Sequence, residues 1–168
     1  MKKKFQILAL STFSVFSFSC LKTEDYSVEP QISFKNYVIG STTDILGNPA
    51  KVVALTFSFT DGDGDIGLGD GDTLPPFDTK GNYYYNLCTT KYKKTNGIFT
   101  EVAENPELRN YRIQPLPSIQ NKKAIKGDIE IKSKVYQSTG KDTLKYTLFI
   151  YDRALHKSNV ITTSEIIL

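Results

Sequence analysis

Residues 61–72 read Asp-Gly-Asp-Gly-Asp-Ile-Gly-Leu-Gly-Asp-Gly-Asp, with five aspartates and five glycines in twelve positions. So many carboxylates repel one another, and a compact loop here needs a cation. The intervening glycines let the backbone curl around one. The stretch immediately before it fixes the surroundings. In residues 52–60, Val53, Leu55, Phe57 and Phe59 alternate with Ala54, Thr56, Ser58 and Thr60. One face is apolar and the other small or hydroxylated, the period-two signature of a half-buried strand. The chain therefore has to place an acidic loop directly at the end of a core strand.

Other strand-like runs are short and bounded by Gly, Pro, Asn or Asp. Residues 31–39 carry Ile32, Phe34 and Val38, and residues 142–151 place Leu144, Tyr146, Leu148 and Ile150 on one face. Residues 82–94, 125–136 and 160–168 also have strand character. Asn96-Gly97 between two such runs signals a tight hairpin, because both central residues of a type I′ turn take positive φ. A helical turn is expected near Glu107 and Leu108, and a short strand at Tyr111-Arg112-Ile113. These elements predict an all-β domain, an immunoglobulin/fibronectin-like β-sandwich over residues 31–168, with a closed barrel as the alternative. In a seven-strand labelling, residues 52–60 form the second strand and residues 142–151 the sixth. The loops that follow them lie at one end, so Asp152 is expected beside Asp61, Asp63 and Asp65.

Numbered from Asp61, the side chains at positions 1, 3 and 5 are Asp61, Asp63 and Asp65, position 7 is Gly67 and position 12 is Asp72. That spacing resembles an EF-hand loop. However, Ile66 replaces the glycine at position 6, Asp replaces Glu at position 12, and no flanking helices are expected. What remains is the local chemistry: hard oxygen ligands in a flexible loop, which suit Ca²⁺ better than Mg²⁺ or Zn²⁺. The expected ligands are Asp61, Asp63, Asp65, the Gly67 carbonyl, Asp72 and Asp152, with Ile66 anchoring the loop on the sandwich. The competing readings are a solvated acidic turn without an ion and, for Asp152, a turn-initiating aspartate or a partner of Arg153.

The N-terminus carries an address. Lys2, Lys3 and Lys4 precede an apolar run from Phe5 to Phe18, which is too short to span a bilayer, and Ser19-Cys20 closes it. Residues 1–19 read as a lipoprotein signal peptide and Cys20 as the lipidated mature N-terminus. Ser17 stands where such sites usually carry leucine, and an ordinary signal peptide is the competing reading. Residues 20–30 are expected to be a flexible tether. The formal charge of +3 falls to zero once the three lysines of the signal are removed. No nucleic-acid motif accompanies Lys91, Lys93 and Lys94, so no nucleic-acid partner is expected. With Cys20 lipidated, Cys88 is the remaining thiol and reads as buried and inert.

Three segments together carry a resemblance: residues 57–67 with the Asp-Gly-Asp-Gly-Asp-Ile-Gly run, Tyr111-Arg112-Ile113 followed by Pro115 and Pro117, and residues 151–160 beginning Tyr-Asp-Arg-Ala. With the lipoprotein-type start, the chain resembles a family of uncharacterised Bacteroidota surface lipoproteins. The short acidic stretch after Cys20 also looks like the export signal of such proteins, with a plain solvated tether as the competing reading. The resemblance implies an anchored β domain of the cell envelope, at the outer membrane and displayed on the surface, and implies no activity.

Catalytic machinery is sparse. His156 is the single histidine and is expected to be solvated, and no HExxH or GxSxG motif occurs. The acidic loop does not provide the separated acid and base of a glycosidase. A binding module is favoured, with Tyr83, Tyr84, Tyr85 and Tyr92 expected on one long strand and facing a glycan or protein ligand, or else acting as cross-strand packing. The alternatives are a structural subunit of an envelope assembly and, more remotely, a polysaccharide-acting enzyme.

Overall fold

The computed structural model describes residues 25–116, 124–136 and 141–168. The signal peptide and Cys20 lie outside the described residues. Among those residues, eight strands and one helical turn follow in order: β1 (Gln31–Thr43), β2 (Pro49–Asp61), β3 (Leu87–Thr95), β4 (Ile98–Glu101), α1 (Pro106–Arg109), β5 (Ile125–Val135), β6 (Thr143–Ile150), β7 (Ile161–Thr162) and β8 (Ile166–Ile167). They form two antiparallel sheets, ordered β1-β2-β5 and β4-β3-β6-β7, with β8 also pairing with β6. The fold is an all-β sandwich.

The alternation in β2 places Val53, Leu55, Phe57 and Phe59 in the interior, and that in β6 does the same for Leu144, Tyr146, Leu148 and Ile150. Each such side chain removed from water contributes about 1.5–3 kcal/mol. These rows, with Ile32, Leu87, Ile131 and Ile166, make one contiguous core between the sheets. The buried Tyr146 hydroxyl donates to Ser133 Oγ at 3.1 Å, so its polar atom is satisfied.

Turn chemistry sets the registers. Asn96 and Gly97 take φ of 52° and 82°, as a two-residue hairpin requires, and Thr95 pairs with Ile98 across them. At the β1–β2 hairpin the Asp44 carboxylate accepts from the Leu46 and Asn48 amides and from Asn48 Nδ2. This fixed tip leaves Ile45 97 % exposed. The helical turn at residues 106–109 is capped by Asn105, whose side chain accepts from the Glu107 amide.

Three expectations need correction. The strand expected from residue 82 begins only at Leu87, so Tyr83, Tyr84 and Tyr85 lie in the preceding loop and only Tyr92 lies on the strand. The final strand is broken into β7 and β8, because the Thr163 side chain and backbone turn inward to bond Tyr146. Tyr111 makes only an isolated bridge, to Leu87.

Strand polarity gives the sandwich two unlike ends. β2 and β6 finish at the same end, where β1 and β3 begin. There the loops after β2 and β6 meet the incoming N-terminal segment.

Candidate metal centre

Asp61 is the last residue of β2, and its side chain follows the buried face of that strand. It is 0 % exposed. One carboxylate oxygen accepts from the Asp65 amide at 2.9 Å, which closes the loop into a tight turn. The other, Oδ1, is buried and has no hydrogen-bond partner, and Asp63 Oδ1 is in the same position. Buried acceptors without donors are rare because each costs free energy, and more so when charged. Asp61, Asp63 and Asp65 each contribute an oxygen to a cluster in which these atoms lie within 4.8 Å of one another. Two oxygens across one Ca²⁺, each at 2.3–2.6 Å, are separated by at most about 5 Å.

The electrostatics follow. Burial, then the Asp63 carboxylate, push the Asp61 carboxyl up to about 6. Burial also raises Asp65, with Asp152 and Asp63 adding to it. Charge is therefore disfavoured at this point of the fold unless a cation joins it.

The loop is held in place by its own side chains and close backbone approaches. Ile66 and Leu68 are buried, and the Leu68 amide donates to the Ile113 carbonyl at 2.8 Å. Gly67 has φ of 120°, and a Cβ there would lie 2.7 Å from Pro115 Cα, so only glycine fits. On the other side, the Gly62 amide donates to the Ser27 carbonyl at 2.8 Å. A Cβ at Gly62 would sit 2.3 Å from the Tyr26 carbonyl oxygen. The N-terminal segment thus packs on the acidic loop from Tyr26 onward. The expected tether through residue 30 is shorter on the domain side, because its backbone accepts from this loop.

The remaining expected ligands divide. Asp152 is buried beside the cluster, its charge acting on both Asp61 and Asp65. Its own oxygens are engaged: Oδ1 accepts from the His156 amide at 2.7 Å, and Oδ2 lies 2.8 Å from His156 Nδ1. It is therefore the turn-initiating aspartate of its loop, and its ring partner is His156. This bond raises the His156 pKa. The expectation of a merely solvated histidine is corrected accordingly.

Asp72 is not among the converging oxygens. The Arg153 guanidinium grips both its oxygens, at 2.6 and 2.7 Å, and the Gly69 amide donates to it at 2.7 Å. These bonds, Arg153 first, hold its carboxyl down at about 2. The Gly67 carbonyl also accepts from Arg153, at 3.3 Å. Asp72 is thus drawn away from the cluster by its arginine, while the Gly67 carbonyl, with one such bond, keeps a lone pair. Arg153 returns to the cluster through its backbone amide, which donates to Asp65 Oδ1 at 3.4 Å.

Arg112 escaped the sequence reading. Its Nη1 donates to the carbonyls of Phe77 and Tyr84, and its Nη2 to those of Gly69 and Asp72, at 2.8–3.3 Å. Its guanidinium also lies over the Tyr84 ring, 5.0 Å from the centroid. One cation thus gathers the connection between β2 and β3 into a compact loop. The signal was an arginine in a chain that has three, placed between apolar residues 111 and 113. Cys88 is half-buried, and burial pushes its thiol up.

No family model matches the chain, and no curated protein matches it. Among solved structures, a Niemann-Pick type C2 protein from Japanese carpenter ant matches over 83 % of this chain and 94 % of that one. The identity is 11 % and the TM-score 0.31, a likeness too slight to carry an argument.

Proposed function

We propose that this chain is a lipid-anchored cell-envelope protein whose immunoglobulin/fibronectin-like sandwich is stabilised by one Ca²⁺ ion and serves as a non-catalytic binding module. The observation that carries the metal assignment is the pair of buried oxygens, Asp61 Oδ1 and Asp63 Oδ1, without donors and directly beside Asp65. A divalent cation supplies what both oxygens lack and offsets the burial of their charge. Three carboxylates from alternate positions of one turn suit the irregular oxygen coordination of Ca²⁺ better than the near-ideal octahedron that the smaller Mg²⁺ demands. The fold assignment is supported by the order β1-β2-β5 facing β4-β3-β6-β7.

The non-catalytic reading is supported by how the reactive groups are used. His156 is committed to Asp152, and the Cys88 thiol is held in its unreactive form by burial. Lipid attachment at Cys20 and residence at the outer membrane rest on the signal-like N-terminus and the family resemblance.

The test is thermal unfolding of the detergent-solubilised mature protein. EDTA lowers the melting temperature, and Ca²⁺ restores it at concentrations where Mg²⁺ does not. A flat calorimetric Ca²⁺ titration together with an EDTA-insensitive melting curve decides against the site.

A further inference from the structure

Beside the metal loop, the β2–β3 connection folds over Arg112 and leaves a cleft of 480 Å³, lined by Asp70, Thr73, Phe77, Asp78, Lys80 and Tyr84 among others. Three features set it apart from an incidental surface hollow. The walls belong to one long connection that is internally bonded, with the Asp72, Phe77, Gly81 and Tyr84 amides each donating to a carbonyl a few residues earlier. Compact loops of this kind are commonly functional. The floor is fixed by Arg112, which spends four of its five N–H donors on main-chain carbonyls. The volume lies in the range of small-molecule sites.

We propose that this cleft binds a short neutral saccharide, about two sugar units long. This assignment deepens the binding-module reading and rests on it, but it does not require the metal. Sugars present vicinal hydroxyls around an apolar C–H face. The cleft offers both complements. Phe77 and Tyr84 line the cleft with aromatic rings that each carry a guanidinium over one face, Arg153 at 5.8 Å and Arg112 at 5.0 Å, and the Asp70 and Asp78 carboxylates accept from paired hydroxyls. Lys80 donates, and Thr73 and Thr79 do either.

Charge narrows the class. Asp72 is neutralised by Arg153, and the Asp70 and Asp78 carboxylates are balanced by the Lys80 ammonium and the Arg112 guanidinium, whose donors are largely spent on carbonyls. A charged ligand of either sign gains no net attraction from a balanced lining, and an apolar one would strand the polar walls. The metal loop reaches the cleft through Arg153, which bonds Asp65 by its amide and Asp72 by its guanidinium. Ca²⁺ in the loop therefore steadies one wall.

The experiment is a titration of isotope-labelled mature protein in detergent with maltose, cellobiose, lactose, mannobiose and N-acetylchitobiose, followed by amide chemical shifts, with spermidine as an amine control. The expected result is saturable binding of at least one disaccharide with perturbations clustered in residues 70–84. Tyr84→Ala and Asp78→Ala are each expected to weaken binding tenfold or more while the strand-dominated circular dichroism is kept. Asp78→Ala carries the test alone if Tyr84→Ala disturbs the loop. Silence with every sugar, perturbations elsewhere, binding unmoved by Asp78→Ala, or a response to spermidine only would each overturn the saccharide cleft. The Ca²⁺ melting shift, read on the same samples, reports the metal site separately. A shift without sugar binding overturns the cleft alone, and sugar binding without a shift supports the cleft and overturns the metal.

Discussion

At the residue scale, Asp63 is the most informative position. Its Oδ1 is buried without a donor, and it lies on the loop and not in the core. Asp63→Ala is expected to abolish the Ca²⁺ response and to leave the apolar interior intact. With free Ca²⁺ at about 100 times the dissociation constant, the wild type gains roughly 2.7 kcal/mol that this variant lacks. Calorimetric titration and melting curves of both proteins check it. Asp61 gives a pH signature. Its carboxyl is raised to about 6 in the folded, metal-free chain, from an ordinary value of 3.8. A raised acid stabilises the fold where it is protonated, so in EDTA stability is full below about pH 4 and falls as pH rises through about 6. The loss from this group is on the order of 3 kcal/mol. Bound Ca²⁺ favours the charged form and removes or reverses the fall. Denaturant unfolding between pH 4 and 7, with and without Ca²⁺, reads the sign. Aspartates at alternate positions were legible as a cluster because residue type and spacing alone bring them together. The diversion of Asp72 was not, since it depends on an arginine 81 residues away.

Single side chains also organise whole elements, and here the sequence was less transparent. The strands β2 and β6 were readable because alternation is local. The connection from Asp61 to Leu87 has no period, and its tyrosines were mistaken for strand because tyrosine favours pleated surfaces. What shapes it is Arg112, a contact across 28 to 43 positions that no local pattern encodes. Arg112→Ala removes a donor from four carbonyls, of which, among the described residues, only that of Gly69 keeps another, the Asp72 amide. The expected cost is about 3 kcal/mol, with water recovering part of what each bond is worth. Faster amide exchange confined to residues 69–84, with slow exchange kept in β2 and β6, identifies the loss as local. Arg153→Ala is expected to cost only about 1 kcal/mol, because that ion pair is partly open to solvent. The N-terminal segment depends on the same logic in the backbone. Gly62→Ala places a methyl group against the Tyr26 carbonyl and should detach residues 25–29. Increased protease cleavage there, with the Ca²⁺ melting shift retained, is the expected outcome.

For the whole molecule, the two ends of the sandwich have different chemistry, and strand direction fixes which end receives the N-terminal segment. The chain enters β1 beside the end of β2, with Gln31 opposite Thr60 and Ser27 bonded to Gly62. From Cys20 to Tyr26 a fully extended backbone spans at most about 21 Å. The opposite end carries the Asp44-centred hairpin tip with Ile45 and Leu46 exposed. It lies the length of the 13-residue β1 away, roughly 43 Å. If Cys20 is lipidated, the metal loop and the saccharide cleft stand close to the anchoring membrane and the aliphatic tip points away from it. The packing of Tyr26 and Ser27 on the acidic loop strengthens this, because it withdraws those residues from the reach of the tether. The arrangement is measurable in vesicles bearing the lipidated protein, with Cys88 replaced by alanine to leave one label site at a time. A fluorophore at Asp70→Cys is expected to be quenched by bromine-labelled lipid or by nitroxide headgroups, and one at Leu46→Cys to remain bright. Equal quenching at both positions would mean that the domain lies flat on the surface. Stronger quenching at residue 46 would mean that the aliphatic tip, not the acidic end, meets the bilayer. Either result would count against the orientation that the strand order and the tether length together favour.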